Sequence, residues 1–182
     1  MAGINSQTQS DIFGRVFTER TSTLDAEASV FDLPDLLTTI VENLDATRSV
    51  VLELPETAFA VPERVMANGE VDWLAGKIVS HVCDIQHRVC GQAAQLMGAA
   101  DAATALEAIG SWPDTIGQRE AVDVLTAAGD AQRSFNAHFP VDGDTTSTSQ
   151  SERFGTVGPK GWLLLQVIHS NTHRLQLRAL MD

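Results

Sequence analysis

The sequence predicts an all-α fold: a four-helix bundle with an N-terminal arm and a long polar loop before the last helix. Three observations carry that expectation. Apolar residues recur at helical spacing through four long stretches, near 33–54, 71–97, 118–139 and 160–181. Alternating, strand-like runs are scarce, and Tyr is absent. Proline, glycine and short polar clusters punctuate the chain where the periodic stretches end. With 182 residues, 43% of them hydrophobic, the chain suits one domain that buries its core without staples.

Residues 1–30 hold no sustained period and read as an arm, in which Ile12, Phe13, Val16 and Phe17 suit a short amphipathic helix. The bundle domain then takes 31–182. Asp32 is a good N-cap, Pro34 fits a first helical turn, and Leu33, Leu36, Leu37, Ile40, Val41, Leu44 and Val51 keep helical spacing up to Pro55. Glu56 to Gly69 reads as loop, because it holds Pro62 and Asn68-Gly69. In the second long stretch Leu74, Ile78, His81 and Ile85 share a face. Asp101 is the expected cap of a short Ala-rich helix that ends near Gly110, before Trp112-Pro113. The third long helix presents Val122, Leu125, Ala128, Gln132 and Phe135, and Pro140 stops it. The connection VDGDTTSTSQSERFGTVGPKG is polar and too long for a tight turn, which makes it a candidate pocket wall.

The formal charge is −12, from 24 acids against 12 Lys and Arg, and no basic stripe offsets it. That balance argues against a nucleic-acid partner. The opening MAGINSQTQSDIFG has no basic region followed by an apolar stretch, so no signal peptide is expected. No apolar run approaches 18 residues, so no membrane span is expected. Cys83 and Cys90 fall on one helix, their Cα atoms roughly 10 Å apart at the helical rise, too far for a disulfide. Two small buried or half-buried thiols in a reducing cytoplasm are the simplest reading.

The last helix concentrates the chemistry. His169 and His173 stand four residues apart, about 40° around the helix, on a meridian shared with Trp162, Leu165, Leu177 and Leu180. His81 lies on the apolar face of the second long helix. One histidine on an apolar face is more often a hydrogen-bonded core residue than a ligand. Three such rings on two inward faces favour a shared divalent cation over three separate structural histidines. His87 falls on another face than His81, and His138 sits at a helix C-terminus, so neither is a candidate ligand. Other metal patterns fail: Ser170 stands where a zincin needs Glu, no Glu-x-x-His occurs, and no Cys-x-x-Cys occurs. A mononuclear three-histidine site with open positions remains, and open positions mark catalytic sites.

Two segments resemble a known family. WLAGKIVSHVCD resembles the W-x(n)-H-hydrophobic-x-D segment of the DinB-like superfamily, and HSNTHRLQL is similar to its H-x3-H-x2-Q-L signature. The order and spacing of the four helices also agree over nearly all of the chain after residue 30. The resemblance implies one divalent metal, usually zinc or nickel, on His81, His169 and His173. It also implies a thiol-dependent activity, since relatives include mycothiol- and bacillithiol-dependent S-transferases and the maleylpyruvate isomerase. Asp84 matches the family's Asp and is a candidate to orient a ring; a plain surface charge is the equal alternative. Gln176 is a candidate to hydrogen-bond near the site, against the reading of a core-edge Gln.

Two functions of different class follow. The favoured one is a metal-dependent transferase or hydrolase that joins a low-molecular-weight thiol to a small electrophile. The other is a non-catalytic metal- or ligand-binding stress-response protein. Leu163, Leu164 and Val167 lie off the histidine meridian, so they are expected to bury against another helix or a second subunit, and a homodimer is expected.

Overall fold

The computed structural model describes residues 4–60, 73–110, 112–113 and 115–181. The fold is mostly helical. Along the chain run α1 (Ser6–Phe13), a π-helical turn (Gly14–Thr18), α2 (Leu24–Ala28), α3 (Leu33–Glu53) and α4 (Thr57–Ala60). Then come α5 (Ala75–Leu96), α6 (Ala100–Ala105) with a 3-10 turn (Leu106–Ile109), and α7 (Gln118–His138). A hairpin of β1 (Ser149–Ser151) and β2 (Gly155–Val157) leads into α8 (Pro159–Arg178).

The long helices begin and end close to where periodicity puts them. Asp32 is the N-cap residue of α3 and Pro34 lies in its first turn, where a missing N–H costs nothing. Leu74 precedes α5 in extended backbone, so the helix starts at Ala75; the expected start at 71 and the markers Pro62 and Asn68-Gly69 lie outside the described residues. Three local expectations are corrected. Thr57–Ala60 coils into one helical turn inside the expected loop. Ala99, not Asp101, takes the cap position of α6, and Asp101 sits in its first turn. The polar connection before α8 also carries a hairpin. Its strands are three residues long and almost wholly polar, so they leave no alternating apolar signal. Ser149 pairs with Val157 and Ser151 with Gly155. Gly155 has φ 71°, the left-handed geometry that closes a three-residue hairpin loop.

Helix α8 lies against both α3 and α5, and α7 packs on those same two helices. The core between them is aliphatic, with Leu36, Ile40, Leu44, Ile78, Leu125 and Leu164 fully buried. Leu163, Leu164 and Val167 are all buried within the single chain, so they leave no exposed face for a second copy. Neighbouring helices supply that cover: α1 and α2 also pack on α8.

Residues 4–28 are stitched to the long helices by specific bonds. The backbone N–H of Ile4 donates to Thr39 Oγ1 (2.9 Å). Asn43 Nδ2, buried on α3, donates to Gln9 Oε1 (2.9 Å) and to the Val167 carbonyl (2.9 Å), joining α1, α3 and α8. Arg15 grips Glu27 through two bonds of 2.8 and 2.6 Å, and this pairing holds the Glu27 carboxyl below its ordinary pKa. Asp25 sits at the start of α8, accepting from the backbone N–H of Gly158 at 3.0 Å on each oxygen. A carboxylate is favoured there because it faces the positive end of the helix dipole.

Candidate metal centre

Three histidines from two helices converge on one point. His81 comes from the second turn of α5, and His169 and His173 from successive turns of α8. His169 Nε2 lies 3.0 Å from His81 Nε2 and 3.1 Å from His173 Nε2. One nitrogen from each ring falls within 4.8 Å of the other two, which makes the trio a possible cation site. The convergence follows from the sequence. A four-residue step stacks His169 and His173 on one face of α8, and the packing of α5 on α8 carries His81 to them.

Hydrogen bonding alone does not satisfy this arrangement. His173 Nδ1 lies 2.8 Å from Gln176 Oε1. A carbonyl oxygen only accepts, so Nδ1 carries the proton and Nε2 of a neutral His173 presents a lone pair to His169. Each ring nitrogen has a single in-plane position, filled by a proton or by a lone pair. His169 Nε2 therefore makes a full hydrogen bond with one of its two close neighbours and not with both. Adding a proton is opposed as well. Burial, then the charges of His173, His81 and Arg153, push His169 down to about 2, and burial also lowers His173 against the opposing pull of Gln176. Neutral rings with lone pairs facing a common point are the form a divalent cation binds. A tetrahedral zinc with bonds of about 2.0–2.1 Å spaces its donors roughly 3.3 Å apart, close to the separations seen here.

Trp73 packs on two of the three rings. Its indole stacks on the His173 ring (5.8 Å between centroids, 5° between planes) and meets His81 edge-on at 4.8 Å. Among the described residues the buried His169 Nδ1 has no hydrogen-bond partner, and the Gln176 bond that orients His173 has no counterpart there. Next to the histidines opens a cavity of about 550 Å³. Its walls are largely aromatic, with Phe13 and Phe17 from the N-terminal segment, Phe154 from the hairpin and Trp162 from α8.

The two further sequence candidates part company here. Gln176 makes its bond to His173. Asp84 is exposed and lines a different depression with His87, Arg88 and Glu107, so it does not reach the histidine cavity. His87 and His138 are exposed and away from the trio; His138 Nδ1 lies 2.8 Å from the Ser134 carbonyl. Cys83 and Cys90 are free and buried, and neither lines the cavity. Arg153 and Phe154 belong to the polar connection expected as a pocket wall, and Trp162 to the histidine meridian of α8; all three do line the cavity. Phe13 and Phe17 escape sequence reasoning as wall residues, because their contact with the hairpin is visible only in three dimensions.

No family model, no curated protein and no solved structure matches this chain. No helix among the described residues is long and apolar enough to cross a membrane.

Proposed function

We propose that His81, His169 and His173 hold one divalent cation, zinc or nickel, and that the protein is a metal-dependent enzyme of the thiol S-transferase kind. The observation that carries this reading is the convergence of three imidazole nitrogens on one point beside an open cavity. When bound, such a cation supplies Lewis acidity, which favours the thiolate of a low-molecular-weight thiol at neutral pH and so a nucleophile for a small electrophile. The chain's own residues do the rest. Gln176 holds the His173 proton on Nδ1 and so keeps Nε2 available. Trp73 fixes the planes of two rings, and the apolar walls exclude water from the electrophile. Hydrolysis, with water in the thiol's place, is the nearest variant.

The long helices α3, α5, α7 and α8 are read in the same proposal as a DinB-like four-helix bundle, on the strength of the two motifs and the contacts among those helices. A reducing cytoplasm suits the two buried free thiols. The open cavity favours catalysis over storage of a metal, since a purely structural site closes its coordination with a fourth protein ligand.

The test has two stages. Elemental analysis of purified protein is expected to give one divalent cation per chain, removable by chelator. The loaded protein is then expected to accelerate conjugation of glutathione, cysteine or another small thiol to 1-chloro-2,4-dinitrobenzene, and the chelated protein is not. Absence of the cation sinks the site; a cation with no thiol or hydrolytic turnover leaves a binding protein and sinks the enzyme.

A further inference from the structure

The cavity beside the histidines is lined by two chemically distinct kinds of polar group. Besides the imidazoles, two exposed arginines, Arg88 and Arg153, line it. Arg88 follows His81 by seven residues on α5, about 10 Å along the helix axis. Arg153 stands in the hairpin loop between β1 and β2, where Ser151 Oγ accepts from the backbone N–H groups of Arg153 and Phe154 at 3.3 Å each. Those bonds shape the loop so that the Arg153 guanidinium lies 5.6 Å from the Phe17 ring centre and 5.4 Å from that of Phe154. Aromatic rings hold a guanidinium through its face and leave its in-plane N–H donors available. Among the described residues neither Arg88 nor Arg153 has an ion-pair partner, although the chain carries twice as many acids as Lys and Arg together.

We propose that this cavity takes a small organic anion, whose apolar or aromatic body lies among Phe13, Phe17, Phe154 and Trp162 and whose carboxylate, or like group, pairs with the Arg153 guanidinium. The inference rests on the reading of this cavity as the substrate site and adds the class of molecule that fills it. A planar carboxylate matches the fork of a guanidinium placed beside two aromatic rings, and it gains two parallel bonds. The aromatic walls match a body of several carbons, and the volume leaves room for one small molecule. Across a chain of net charge −12 the general field repels anions, so a preference for an acid over its neutral analogue has to come from a local cation.

The probes are 4-phenylbutyrate and the neutral 4-phenylbutyramide, titrated by calorimetry and by fluorescence of the tryptophans, Trp73 and Trp162 being in the cavity wall. Each is measured on cation-loaded and chelated full-length protein, with wild type, Arg153→Gln, Arg153→Lys and Arg88→Gln. Wild type is expected to bind the acid about five- to tenfold more tightly than the amide, with or without the cation. Arg153→Gln is expected to erase that preference while retaining amide affinity, cation content and the melting temperature, and Arg153→Lys to restore part of it. A preference that survives Arg153→Gln but vanishes on chelation places the carboxylate on the cation and overturns the proposal. Equal binding of acid and amide by wild type, or no binding of either, overturns it too. Because the chelated protein is assayed separately, a failure of the histidine site to take metal is read from cation content alone and does not decide the Arg153 result.

Discussion

Replacing His169 by Ala removes one of three mutually contacting rings, the one whose Nε2 lies closest to both other ring nitrogens. That Nε2 stands 3.0 and 3.1 Å from theirs, so the variant leaves His81 and His173 as two donors where there were three. Four-ligand zinc sites bind with apparent free energies of about 10–16 kcal/mol, or about 2.5–4 kcal/mol per ligand. Losing one donor is therefore expected to weaken the cation about 10²- to 10³-fold. Competition with a chromophoric chelator measures this, with His87→Ala as the control, because His87 is exposed and outside the cavity. Affinity within threefold of wild type for His169→Ala, or an equal loss in His87→Ala, would refute the assignment.

The same variant carries a second signature, in the absence of metal. The folded protein holds His169 at about 2, below the value near 6.5 of an unfolded chain. A depressed folded value contributes stability that is fully present above 6.5 and is lost as the pH falls below it. From pH 7.5 to 5.5 that loss amounts to about 1.4 kcal/mol for one histidine. His169→Ala in chelator is expected to lose that much less over the same interval in urea titrations. Identical pH dependence in the two proteins would show that the ring is not held neutral by its surroundings.

Gln176→Leu removes the acceptor on His173 Nδ1 and is expected to weaken cation binding about 10- to 100-fold without altering far-ultraviolet dichroism; unchanged affinity counts against the orienting role. Burial, and then the charge of Asp84, push the Cys83 thiol up to about 12, and burial raises Cys90 as well. A disulfide reagent at pH 8 is therefore expected to detect no thiol in folded protein and two in denaturant; rapid labelling of either in the folded state would contradict the packing. Gly161→Ala is a third case. In an open helix it would stabilise by about 1 kcal/mol. Here the new Cβ overlaps Asp25 Oδ1 and comes within 2.8 Å of Val157 Cγ1, so the melting temperature is expected to fall, at a cost of about 1–3 kcal/mol. A rise would show that Asp25 moves aside freely.

The helical spacing of apolar residues was legible because each long helix buries one side, and burial is what imposes a 3.6-residue period. Leu36, Ile40 and Leu44 on α3 are fully buried, and so is Ile78 on α5. The histidine cluster was legible for the same reason: a ring on a buried stripe has to meet whatever packs there. Where burial does not alternate with exposure, the signal fails. Helix α8 is buried almost all round from Gly161 to Ile168, so Leu163, Leu164 and Val167 look surplus to a single stripe. The cover that explains them is α1 and α2, short segments with no long period of their own. Asp84 was open between two readings, a ring-orienting group and a surface charge, and it is exposed. A step of three residues from His81 is close enough in angle to suggest contact, but the cavity opens on the other side of His81 and leaves the carboxylate in solvent.

The residues that would hold the metal and the residues that would select its substrate come from different parts of the chain, and one joint connects them. The histidines sit on α5 and α8, whose packing on one another belongs to the core. The rings of the cavity wall run in a line from the N-terminal segment through the hairpin to α8. Phe13 stacks on Phe17 at 4.7 Å, Phe17 meets Phe154 at 5.6 Å, and Phe154 meets Trp162 at 6.2 Å. That line is fastened at the start of α8: Trp162 Nε1 donates to Ser149 Oγ (2.9 Å), and Asp25 accepts from Gly158. A residue change in the hairpin thus alters the wall and the charge at Arg153 without touching a metal ligand. On the proposed function, a cation held there would serve different small molecules through changes confined to residues 13–17 and 149–157, while the spacing of His81, His169 and His173 stays as it is.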